Sequence, residues 1–121
     1  MAQYTLDPNG GPIKVSFAVK GIVVAFYHFY LFEKQSNKII WETTGNNLNP
    51  QDDTYELPVP TASNDGRLLM LSTSLKSSKL GPYTISLSCS QGGKPQNFTD
   101  SGKVTEKGAI YHSMIDVILG V

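Results

Sequence analysis

Residues 22 to 32 read Ile-Val-Val-Ala-Phe-Tyr-His-Phe-Tyr-Leu-Phe, with no charge, no glycine and no proline. Nearly every side chain is aromatic or β-branched, the composition of a packed, pleated strand. Side chains alternate along a strand, so Ile22, Val24, Phe26, His28, Tyr30 and Phe32 share one face. Val23, Ala25, Tyr27, Phe29 and Leu31 share the other. A half-buried antiparallel strand has one polar face, and here neither face is polar. Either both faces are covered within the domain, or one is covered by something outside it. The run is shorter than the about 20 apolar residues of a membrane-spanning helix. Polar residues including Asp7 precede it and Glu33-Lys34-Gln35 follows, so it does not read as a secretory leader.

The chain has 121 residues, enough for one domain with a real core. Ten basic residues balance ten acidic ones. Nucleic acid is therefore not the expected partner, since its binders carry a basic stripe. Zero net charge also does little to hold copies of the protein apart. Cys89 is the single cysteine, which excludes an internal disulfide and a cysteine metal cluster. With no leader in the pattern, a cytoplasmic location is the default expectation, although a trimmed secreted chain would look the same.

Residues 1–12 are rich in Gly, Pro and Asn and read as a flexible lead-in to a domain over 13–121. Ile13 to Lys20 alternates as a half-buried strand, and Gly21 marks a bend before the aromatic run. Lys34-Gln35-Ser36-Asn37 is a short hairpin loop into a strand over 38–43. Thr44 to Thr54 is the longest polar connection, and the prolines of Tyr55-Glu-Leu-Pro-Val-Pro60 place that segment on an edge. Asn64-Asp65-Gly66 turns the chain into a strand over 67–75, and Lys76 to Pro82 is a further turn. Tyr83, Ile85, Leu87 and Cys89 alternate with Thr84, Ser86, Ser88 and Ser90, a strand with one wet face. Gly92-Gly93 closes it, a short strand surrounds Phe98, and a last strand covers 109–119. The expected fold is an all-β antiparallel sandwich, immunoglobulin-like or jelly-roll-like, of about seven to eight strands.

Catalytic signatures are weak. On a strand, His112 and Asp116 share a face but lie roughly 13 Å apart, beyond hydrogen-bonding reach. No Gly-x-Ser-x-Gly elbow and no phosphate-cradling glycine loop occurs. Cys89 occupies an inward position, where a thiol acts as a small hydrophobe. The 46–53 segment is rich in Asn and Asp but lacks the spaced carboxylates of the twelve-residue calcium loop, and no metal or cofactor is expected.

These residues describe a non-enzymatic interaction module, a homo-oligomer or a partner of another protein. Its expected anchors are Phe26, His28, Tyr30 and Phe32, aromatics whose polar tips suit an interface. The alternative is a lectin-like sandwich that takes a carbohydrate or small ligand at the 44–54 loop, using Trp41, Asn46, Asn47 and Asp52. The competing reading of Trp41, beside Ile39 and Ile40, is a core tryptophan.

Overall fold

A computed structural model describes residues 2–48 and 53–121. It is a two-layer β-sandwich. The strands in chain order are β1 (Ala2–Thr5), β2 (Lys14–Lys20), β3 (Val24–Phe32), β4 (Ile39–Asn46), β5 (Thr54–Glu56), β6 (Leu68–Lys76), β7 (Gly81–Gln91), β8 (Lys94–Val104) and β9 (Tyr111–Gly120). A 3-10 turn, Thr61–Asn64, precedes β6. One sheet has five strands in the order β1-β9-β6-β3-β4, and the other has four in the order β5-β2-β7-β8. Among the described residues no helix is long and apolar enough to cross a membrane.

The core lies between the sheets and is built from the inward half of each alternating strand. β2 contributes Val15 and Phe17, β7 contributes Ile85, Leu87 and Cys89, and β6 contributes Leu69, Leu71 and Leu75, all buried. From the aromatic run, Ala25, Tyr27, Phe29 and Leu31 turn inward. Phe17 of one sheet stacks on Tyr27 of the other at a centroid separation of 4.2 Å, tying the layers together. β3 is an interior strand, paired antiparallel with β4 on one side and β6 on the other.

Three features depart from the sequence reading. Ala2–Thr5, within the expected lead-in, is a ninth strand, and Tyr4 and Leu6 behind it are buried. It was hidden because only one large apolar side chain in four marks it, too little for a periodic signal. It also runs parallel to β9, with Tyr4 opposite Leu119, so the sandwich is not purely antiparallel. Around Phe98 the strand extends to eleven residues. β8 is an edge strand whose outward side is polar, so its length is carried by backbone pairing with β7 rather than by apolar pattern. The β7–β8 hairpin turns at Gly92 and Gly93, with φ of 58° and 75°. Both positions of this two-residue turn need the left-handed region that glycine enters freely.

Candidate docking face on the five-stranded sheet

The inward set of β3 is held from beneath. The hydroxyl of Tyr27 donates to Asp53 Oδ1 and is paired with the hydroxyl of Tyr55, each at 2.6 Å. Burial and these two hydrogen bonds push the Tyr27 phenol well above its ordinary range, so it stays protonated. On the neighbouring strand Gly45 lies opposite Tyr27, and a Cβ added there would collide with the ring. The same device recurs in the other sheet, where Tyr83 lies across Gly102. A tyrosine laid over a cross-strand glycine fills the missing side chain and fixes register. With Tyr27 pinned inward, alternation sends Val24, Phe26, His28, Tyr30 and Phe32 to the outer surface.

That surface is not covered by the described chain. Phe26 is 49% exposed, and Met114 and Ile110 of the β9 region are more exposed still. The imidazole of His28 stacks on Tyr30 with centroids 3.8 Å apart and planes within 8° of parallel. Tyr30 in turn lies 5.8 Å from Phe32, also stacked. These three rings form a continuous ridge along β3. His28 Nε2 is 3.2 Å from Glu42 Oε1 on β4, which fixes the ring at the start of the ridge. The four expected anchors therefore share one face, as alternation requires.

Registers lay the face out in rows across the strands. Glu42, Tyr30, Met70 and Asp116 form one row, and Thr44, His28, Ser72 and Met114 the next. Asn46, Phe26, Ser74 and His112 form a third. Ser74 Oγ and His112 Nδ1 are 3.2 Å apart. A hollow of about 160 Å³ opens over Ser74, walled by Val24, Phe26, Lys76 and Ile110. Met70 and Met114 join the ridge through strand pairing, and Ile110, just before β9, through the hollow it shares with Phe26, so no local pattern around residues 22–32 marks them.

The outer face of the four-stranded sheet is of the opposite kind. Ser16, Ser88 and Asn97 lie in one row, and Ala18, Ser86 and Thr99 in the next. Small hydroxyls are what a solvated sheet face carries.

Of the residues of the alternative ligand site, Trp41, Asn46 and Asn47 lie among the described residues, each with its own partners. Trp41 is partly buried against the core, its ring 6.5 Å from Phe29 and 6.4 Å from Tyr55. Asn47 is engaged in structure: its Oδ1 accepts from Ala25 N and its Nδ2 donates to Val23 O. Asn46 Oδ1 accepts from Leu48 N. Asp52 lies outside the described residues. His112 and Asp116 are on one face of β9, with Met114 between them. Burial pushes the Cys89 thiol up to about 12 and leaves it protonated. Among the described residues no His, Cys, Asp and Glu group could hold a metal ion. Comparison with protein-family models, with curated proteins and with solved structures yields no match, so the functional reading rests on this geometry.

Proposed function

We propose that this chain is a non-enzymatic interaction module that buries the aromatic face of its five-stranded sheet against a protein surface, in the first instance that of another copy. The observation that carries this is the contrast between the two outer faces of one sandwich. One is mostly serine, threonine, asparagine and lysine; the other is a stacked ridge of His28, Tyr30 and Phe32 flanked by Phe26, Met114 and Ile110. Contiguous exposed apolar surface on a domain this size marks an interaction site. Aromatics with polar tips, together with methionine, are the residue types enriched in such interfaces.

Sedimentation analysis over a wide concentration range tests it. The wild-type chain is expected above its 13.2 kDa monomer mass. Tyr30→Asp places an unpaired charge in the middle of the ridge and is expected to weaken association roughly 100-fold or more. A wild-type chain that stays monomeric at every concentration sinks self-association. A glycan array bound equally by wild type and Tyr30→Asp would move the function to the 44–54 loop.

A further inference from the structure

The outer face is laid out in rows on either side of one central row. On β9 the outward residues from 110 onward are Ile110, His112, Met114, Asp116 and Ile118: apolar, imidazole, methionine, carboxylate, apolar. On β3 they are Val24, Phe26, His28, Tyr30 and Phe32, with an aromatic on each side of the central histidine. On β6, Met70 and Ser74 flank Ser72. The three centres, His28, Ser72 and Met114, lie in one row across the sheet.

We infer that the partner of this face is a second copy of the same chain, packed face to face about a two-fold axis that runs along the His28–Ser72–Met114 row. The inference rests on the proposed docking role of the face and gives that role a geometry. Such an axis keeps each strand over its own counterpart and reverses its direction. Row by row, each residue then meets the one on the far side of the centre. Asp116 meets His112 of the second copy, an acceptor against an N–H donor, and the reciprocal pair forms on the other side of the axis. Tyr30 meets Phe26, ring against ring. Met70 stands over Ser74, where the hollow of about 160 Å³ is open to receive a long flexible side chain. Glu42 meets Asn46, and Lys76 meets Leu68, so no carboxylate faces a carboxylate. Two sheet faces that pack in this way come about 10 Å apart with their strands within about 30° of alignment.

The test is a charge exchange between positions 112 and 116, read as the dimer dissociation constant by sedimentation. Within one chain these positions are roughly 13 Å apart along β9, so a strong coupling between them must be made between copies. Asp116→Lys and His112→Asp, each alone, are expected to raise the dissociation constant about tenfold or more. The double exchange is expected to restore it to within about threefold of wild type. Circular dichroism of each variant confirms the sandwich is intact. If the two single effects simply add while Tyr30→Asp still dissociates the assembly, the two-fold arrangement is wrong and the docking face stands. If the wild-type chain never associates, the second copy is not the partner, and self-association falls with the arrangement.

Discussion

At the residue scale, Cys89 shows how placement silences a reactive group. It lies on β7 opposite Val15 and is fully buried. Desolvation disfavours its thiolate and moves its titration from 9 to about 12. The sign of the linkage follows. The unfolded chain loses this proton from about pH 9, while the folded chain keeps it to about 12. The contribution of Cys89 to stability is thus complete below about pH 9 and is lost as pH rises above that. Two outcomes are expected. A thiol reagent at pH 8 leaves the native protein unmodified but reacts fully in denaturant. Cys89→Ala flattens the decline of stability above pH 9, measured by guanidinium unfolding. Rapid labelling of the native protein would contradict the burial.

At the element scale, β1 is held by more than its four ladder positions. Gln91, at the end of β7, bonds the segment that follows β1. Its Nε2 donates to the carbonyls of Asp7 and Gly11, each at 2.9 Å. Its Oε1 accepts from Asp7 N at 2.9 Å and from the Tyr4 hydroxyl at 3.3 Å. One amide thereby fastens the chain between β1 and β2 to the opposite sheet. Gln91→Ala is expected to cost about 2–3 kcal/mol, because it leaves several partly buried groups without partners. Ser90→Ala, whose side chain is on the wet face, is expected to change stability by less than about 0.5 kcal/mol. Equal effects at the two positions, in chemical denaturation, would show that Gln91 is not the fastening. The sequence could not mark Gln91, since one glutamine beside two glycines carries no pattern and its partners lie eighty or more positions away.

At the scale of the whole molecule, the two outer faces give the sandwich a solvated side and a sticky one. If copies join through the sticky side, folding and assembly are linked by mass action. The melting temperature of the wild-type chain is then expected to rise by a few degrees for each roughly tenfold increase in concentration. Phe26→Asp, which changes only the outer surface, is expected to remove that dependence and keep the fold. A melting temperature independent of concentration in both proteins would argue against linked assembly.

Much of this was legible before any tertiary information. Alternation alone marks β2, β7 and the two-faced character of β3, because a strand's period of two is a local property. It also sorted Phe26, His28, Tyr30 and Phe32 onto one face of β3. Which β3 face turns inward is not local, since both are apolar. The neighbours decide it: Leu69, Leu71 and Leu75 of β6 align with Leu31, Phe29 and Ala25, while Ser72 and Ser74 align with His28 and Phe26. The glycine at position 45 then admits the Tyr27 ring and holds that choice. β1 needed the fold as well, because four residues acquire a strand's identity only by pairing with β9 at the far end of the chain. The uncovered face of Ile22 to Phe32 is therefore written in the local sequence, and its direction is set by residues that only folding brings beside it.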